Sequence, residues 1–286
     1  MTSTDTYTLI DSGGFRKLEQ VGKFLIDRPA PQAAWRKRQP AELWEKADAY
    51  YERNSTGQGT WDFRRKVPES WTIQMHGLTL KIKLTDFGHI GFFPEHAMNW
   101  LWIKKKIMAR KNPPTLLNMF AYTGGASLAA AAAGANVTHL DASRGIVNWA
   151  RENAAGSGLK EMPIRWIVDD VIKFCYREIK RGSRYDAVIL DPPSYGRGNR
   201  GEVWKFEEEI VKLLDISRDL LTDDPFFVLL SAHTPGFSPT ALSNLLEDMM
   251  AGRPGKLESS EMYVHEAHGK RKLPSGIMAR WEAADG

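Results

Sequence analysis

The chain has 286 residues, 42% hydrophobic and 26% charged, which excludes a disordered chain and leaves room for one large or two modest domains. Its formal net charge of +4 permits a polyanionic partner without requiring one. A single cysteine, Cys175, excludes an internal disulfide and a metal site built from cysteines; with no apolar run of bilayer length, a reducing cytoplasm is the expected setting.

The start, Met1-Thr2-Ser3-Thr4-Asp5, is polar and lacks the basic-then-apolar pattern of a secretory leader. Up to about residue 90 the chain is short-period and Trp-rich, with turns expected at Asp11-Ser12-Gly13-Gly14, Asn54-Ser55-Thr56-Gly57 and His76-Gly77. Residues 42–51 read as a helix, and 71–75 with 78–84 alternate as a hairpin around a tight turn. Arg16, Lys17, Lys23, Arg28, Arg36, Lys37 and Arg38 crowd this stretch, with Trp35, Trp44, Trp61 and Trp71 among the cations. Cations interleaved with aromatic rings are a footprint for unpaired nucleic acid; solvated charge around a small aromatic core explains them equally well. Residues 1–94 are therefore expected to form a basic, β-rich subdomain and a candidate RNA contact, with a second domain over 95–286.

From about residue 95 the rhythm changes. A helix over 96–111 stops at Pro113-Pro114, and strands and helices then alternate. Strands are expected at 115–120, 136–140, 164–168, 187–190 and 226–231. Helices fall between them at 126–133, 146–155, 171–181 and 207–221. A helix at 239–250 and closing strands at 257–264 and 276–281 complete the series. Short apolar strands alternating with helices predict an α/β, Rossmann-like, doubly wound and mostly parallel sheet.

In such sheets ligands lie beyond the carboxyl ends of the strands. The first strand turns into its helix through Ala121-Tyr122-Thr123-Gly124-Gly125, a glycine pair that allows close approach of a ligand but lacks the third glycine of a pyrophosphate loop. The second strand ends at Asp141, where this fold places an acceptor for ribose hydroxyls, and the third at Asp169-Asp170, suited to an adenine amine. Either site can equally be a helix cap. The fourth runs Ala187-Val188-Ile189-Leu190 into Asp191-Pro192-Pro193-Ser194-Tyr195. A carboxylate and two prolines without N–H groups leave an acceptor-rich rim suited to holding a base amine against a cofactor.

This pattern resembles the class I S-adenosylmethionine-dependent methyltransferases from about residue 88 onward, and more narrowly the bacterial large-subunit ribosomal RNA methyltransferase group. The carrying stretches are Gly91-Phe92-Phe93-Pro94-Glu95-His96, Asn118-Met119-Phe120-Ala121-Tyr122-Thr123-Gly124-Gly125 and Leu140-Asp141-Ala142-Ser143. Ala150-Arg151-Glu152-Asn153, Val168-Asp169-Asp170-Val171 and Leu190-Asp191-Pro192-Pro193-Ser194-Tyr195 complete them. The resemblance implies S-adenosylmethionine as cofactor, lined by Phe92 and Phe93 and wrapped along its methionine part by Phe120, Tyr122, Thr123 and Gly124. It further implies Asp141 with Ala142 at the ribose, Asp170 at the adenine amine, Asn153 in support, and Asp191 with Pro192 facing methyl donor and acceptor.

Cytosine carbon-5 transfer requires a thiolate nucleophile. In the resembling enzymes it ends the fifth strand, where this chain reads Ser231-Ala232-His233-Thr234, and Cys175 lies elsewhere. A nucleobase nitrogen needs only orientation and an outlet for a proton. Asp191, the Pro192 carbonyl and a stacking Tyr195 are the expected catalytic group, with His233 as a candidate proton acceptor or a structural residue. Gly196-Arg197-Gly198-Asn199-Arg200-Gly201 reads as a mobile basic lid or a plain loop, and no metal is expected. The function expected is methyl transfer to RNA, ribosomal RNA in particular. A small-molecule or protein acceptor, a nicotinamide-dependent oxidoreductase and a non-catalytic RNA-binding protein stay open.

Overall fold

The structure, a computed structural model, describes residues 6–53, 59–197 and 203–284. It divides into two compact units, Met1–Ala97 with Tyr263–Ser275 and Met98–Met262 with Gly276–Gly286. The division falls at Ala97 rather than residue 94, and 263–275 cluster with the first unit. The cause is a buried carboxylate: Glu266 Oε1 accepts the Ser12 amide at 3.0 Å and the Ser12 hydroxyl at 2.5 Å, and the Ala267 amide donates to the Leu9 carbonyl.

In the first unit β1 (Tyr7–Gly13), β2 (Arg16–Val21), β3 (Phe24–Pro29), β4 (Ala49–Arg53) and β5 (Gly59–Phe63) form one sheet in that order. β6 (Trp71–Met75) and β7 (Leu78–Ile82) form the expected hairpin. The helix expected over 42–51 is corrected: α1 covers only Ala41–Glu45, and β4 follows. Ala49 and Tyr51 point inward while Tyr50 does not, a two-residue period enforced by pairing with β3 and β5. Of the expected turns, that at 54–57 lies outside the described residues. The unit buries charge in pairs. Arg28 grips Glu19 through two hydrogen bonds of 2.6 and 2.8 Å, and Tyr7 donates to the same carboxylate. Burial alone would raise the Glu19 pKa, but Arg28 and Lys17 hold it at about 2.

In the second unit seven strands order as β10-β9-β8-β11-β14-β16-β15. They are β8 (Thr115–Met119), β9 (Asn136–Asp141), β10 (Ile164–Val168), β11 (Ala187–Leu190), β14 (Phe227–Ala232), β15 (Gly255–His265) and β16 (Lys272–Ala283), the last two running on into 263–275. The first five are mutually parallel and β16 runs antiparallel to β14. A ribbon of β12 (Tyr195–Arg197) and β13 (Val203–Lys205) stands apart from this sheet. The helices are α2 (Ala97–Met108), α3 (Gly125–Ala132), α4 (Arg144–Gly156), α5 (Val171–Lys180), α6 (Phe206–Asp219) and α7 (Pro239–Met249). Strand residues alternate between two cores, as a sheet covered on both faces requires. Leu117, Met119, Val188, Leu190, Val228 and Leu230 pack under α5, α6 and α7. Leu116, Ala187, Ile189, Phe227 and Leu229 join Ile103, Ala130 and Ala131 on the other side. The expected doubly wound sheet is present, with its edges within a few residues of the predicted ones.

Glu178 of α5 is a sensitive point of this unit, buried while accepting from Arg165 at 2.9 Å, Tyr185 at 2.8 Å and Arg181 at 2.8 Å. Burial alone would raise its pKa, but those hydrogen bonds draw it from 4.5 to about 2. A depressed carboxylate stabilises the fold above its unfolded pKa and loses that contribution as pH falls through the folded one. Glu178→Gln is expected to cost about 2 to 3 kcal/mol at neutral pH. In urea titrations its deficit against wild type should shrink as pH falls below 4.5 toward 2.

Candidate active site

Parallel pairing aligns one row of residues across the second unit's sheet: Ile167, Leu140, Met119, Leu190 and Leu230. The next residue along each strand therefore reaches the same carboxyl rim, and these are Val168, Asp141, Phe120, Asp191 and Ser231. Strand order reverses between β8 and β11, so Phe120 and Asp191 flank the switch point, where open α/β sheets hold ligands. The predicted residues Asp141, Phe120 and Asp191 are brought together by register alone.

The turn after β8 is strained and pinned. Phe120 and Tyr122 take left-handed backbone, at φ of 55° and 48°, which bulky residues adopt only where their surroundings hold them. Two side chains do the holding. Asp141 Oδ2 accepts the Tyr122 amide at 3.0 Å while its Oδ1 accepts the Ser143 amide at 3.0 Å. Asn153 of α4 donates to the Thr123 carbonyl at 2.9 Å. Burial raises the Asp141 pKa, opposed by amide hydrogen bonds from Ser143, Tyr122 and Ala142. Gly124, at φ 93°, is the N-cap of α3 and has no side chain, so the cap residue itself offers no side-chain acceptor to the first N–H groups of that helix. Gly125 serves differently from expectation: a Cβ there would lie 2.1 Å from the Trp100 ring, so its bareness admits a tryptophan and not a ligand. Beneath the turn, Asn118 donates to Ser127 Oγ at 2.9 Å, and Ser127 Oγ lies 3.0 Å from His139 Nδ1. Burial holds the His139 pKa at about 3, so its imidazole is neutral.

The turn after β11 is clamped from three elements. The Ser231 hydroxyl at the end of β14 donates to Asp191 Oδ1 at 2.6 Å. Thr234 Oγ1 donates to Ser194 Oγ at 3.0 Å. Trp204 of β13 donates from Nε1 to the Pro193 carbonyl at 2.6 Å. Pro192 is buried and Pro193 exposed. Tyr195, expected to stack on the acceptor, lies on β12 with 52% of its surface exposed. His233 is exposed, with an acceptor atom within 4.8 Å of one on Asp191. It rests over Gly276, where a Cβ would meet its ring at 2.9 Å.

Other expected residues stand as follows. Asp170 Oδ1 accepts the Lys173 amide at 2.9 Å and caps α5, the capping role foreseen for one of that pair. Asp169 is ion-paired with Arg177. Phe92 and Phe93 belong to the first unit, Phe92 buried edge-on to Tyr7 and Phe93 beside His89 and His96. Of the expected lid, 195–197 form β12, while 198–202, with Arg200, lie outside the described residues. Cys175 is buried with its thiol pushed up to about 12 by burial and nearby carboxylates, its Sγ 3.4 Å from Met119 Sδ. Sequence reasoning did not single out Ser231, Thr234 or Trp204 as partners of the turn. An aromatic or hydroxyl residue shows a direction only once strands are paired.

A family model for S-adenosylmethionine-dependent methyltransferases matches residues 26–222, and the chain belongs to that family. A crystal structure of the S-adenosylmethionine-dependent methyltransferase from Agrobacterium tumefaciens is 39% identical over 97% of this chain and 90% of its own, with a TM-score of 0.93. A putative methyltransferase complexed with S-adenosylhomocysteine shares the fold at 16% identity and a TM-score of 0.75, over 98% of this chain and 76% of its own. Among curated relatives, the ribosomal RNA large subunit methyltransferase K/L of Colwellia psychrerythraea is 32% identical over 51% of this chain. That of Pseudoalteromonas atlantica is 31% identical over 66%. This chain spans only 20% and 24% of those two proteins. The cofactor is S-adenosylmethionine, and the nicotinamide alternative falls.

Asn153 tests how the turn after β8 is held. Asn153→Ala leaves the Thr123 carbonyl without its buried donor and is expected to cost about 1 to 3 kcal/mol of stability. In urea titrations and calorimetry, it should also weaken S-adenosylhomocysteine binding beyond the loss in folded fraction.

Proposed function

We propose that this methyltransferase modifies RNA, at a nucleobase nitrogen and in ribosomal RNA. One observation carries the choice of atom: the rim presents the Asp191 carboxylate, fixed by Ser231, while the chain's single thiol is buried in α5 with a pKa near 12. The donor set fits S-adenosylmethionine. Asp141, which accepts amides from Tyr122, Ser143 and Ala142, keeps acceptor capacity for a ribose hydroxyl, and the α3 N-terminus, where the N-cap Gly124 has no side chain, suits an anionic group. Phe120, Tyr122, Thr123 and Gly124 would wrap the methionine part, and Ala142 and Asp170 would lie at the nucleoside.

Bound there, the cofactor supplies an electrophilic methyl group on a cationic sulfur. Asp191 and the Pro192 carbonyl would orient the acceptor nitrogen so that its lone pair lies in line with that methyl. As the carbon–nitrogen bond forms and the carbon–sulfur bond breaks, positive charge passes to nitrogen. An exocyclic amine then releases a proton, which Asp191 or His233, their side chains within 4.8 Å of each other, would receive. Tyr195 is exposed enough to stack on a base. Support for RNA comes from the relatives' names and from the first unit. A cleft of about 440 Å³ there is lined by Gly22, Lys23, Ser70, Trp71, Thr72 and Lys81, cations beside an indole. No helix among the described residues is long and apolar enough to cross a membrane, and a cytoplasmic setting accords with an RNA substrate.

Tritiated methyl transfer to RNA from a strain lacking the protein, followed by nucleoside mass spectrometry, tests the assignment. A methylated base nitrogen is expected, with Asp191→Ala reducing the rate by about 100-fold or more. Label confined to protein or small metabolites would instead point to another acceptor. The cleft has its own arm. Lys23→Glu with Lys81→Glu should weaken single-stranded RNA binding and flatten its logarithmic salt dependence by about 1.4, given about 0.7 per lost phosphate contact. An unchanged slope would remove the cleft from the RNA path.

A further inference from the structure

Trp204 sits where nothing in the sequence directs attention, in the second strand of a three-residue ribbon. Its neighbours Val203 and Lys205 face solvent, while Trp204 turns inward by the two-residue period. The ribbon leaves the acceptor turn at Tyr195 and returns through Lys205 directly into α6. The Phe206 amide donates to the Ser194 carbonyl at 3.1 Å and closes the base of the loop so formed. The indole makes two contacts of different kinds within this unit. Its Nε1–H donates to the Pro193 carbonyl at 2.6 Å. Its ring lies 5.1 Å from the Phe120 ring, centroid to centroid, tilted by 55°.

Those two partners belong to the two halves of the site. Pro193 stiffens the turn after β11, and Phe120 is the left-handed residue at the head of the turn after β8. A left-handed phenylalanine persists only where its surroundings hold it. We propose that Trp204 is a positioning residue that ties the acceptor turn to the cofactor turn, setting the distance between acceptor nitrogen and methyl donor. This rests on the assignment of the Asp191 turn to the acceptor side.

The two contacts separate by substitution. Trp204→Phe keeps a ring against Phe120 and removes the N–H. S-adenosylhomocysteine affinity by calorimetry should stay within about twofold of wild type, while kcat on undermethylated ribosomal RNA falls by about tenfold or more, since small misplacements of reacting groups are costly. Trp204→Ala removes both contacts and should additionally weaken S-adenosylhomocysteine by about fivefold. That loss should be absent when Phe120→Ala is already present, the non-additivity expected of a direct contact. Circular dichroism melting accompanies each variant, and if Trp204→Ala does not fold, Trp204→Phe alone decides. Trp204→Phe with wild-type kcat and acceptor KM, or additive losses in the Phe120 cycle, would overturn the tie. Calorimetry needs no acceptor, so the cofactor arm stands even if wild type methylates no RNA, an outcome that would defeat the RNA proposal instead.

Discussion

Parallel register is the constraint on which the site depends. Because Leu140, Met119, Leu190 and Leu230 pair residue for residue, the next residues on four strands emerge at one rim. A one-residue slip of β11 against β8 would move Asp191 away from Phe120 and turn the Leu190 side chain out of its core. Burial of alternate strand residues in two separate cores forbids that slip. The same apolar packing that stabilises the sheet thus places the chemistry, and no functional side chain has to specify its own position along a strand.

Across the strands the polar groups take over. Asp141 spends an acceptor site on each oxygen to hold the Tyr122 and Ser143 amides, so the group suited to ribose also shapes the turn beside it. Asp191 is arranged in the same way, one oxygen held by Ser231 from the neighbouring strand. Each of these strand-end carboxylates is therefore built into the structure through at least one oxygen. Asp170 does the same, capping α5 with Oδ1. The two readings of these aspartates, cap or ligand contact, are not exclusive, because a carboxylate has more acceptor sites than a cap consumes.

What the sequence reveals follows from how each element is buried. β8, β11 and β14 are legible because a parallel strand covered on both faces must be a short apolar run, and Ala187-Val188-Ile189-Leu190 has no other use. β1 to β3 escape individual recognition because Asp11, Glu19, Asp27 and Arg28 are buried inside them, breaking the alternation that marks a half-buried strand. Their partners lie far along the chain: Arg38 and Gln39 amides serve Asp11, and the Gly88 carbonyl serves Arg28. The 42–51 segment fails for a related reason. Its spacing suits a helix, and only pairing with Ile26 and Phe63 makes Ala49 a strand residue. At the site, the strand-end aspartates were legible from position, whereas Ser231 and Trp204 depend on tertiary pairing.

Under the proposed assignment, Asp141 and Asp191 differ in what they would do for the reaction. A group that contacts ribose meets the same atoms before and during transfer, so Asp141 would strengthen binding without lowering the barrier. Charge at the reacting centre moves instead, from sulfur in the substrate toward nitrogen in the transition state. In the proposed assignment Asp191 stands on the acceptor side, and its field is the one that the migrating charge would approach. Its oxygen is already oriented by Ser231, so little reorganisation is required as that charge arrives. A carboxylate on this rim would thus assist chemistry only where it faces the acceptor, whereas one at the ribose would assist binding alone.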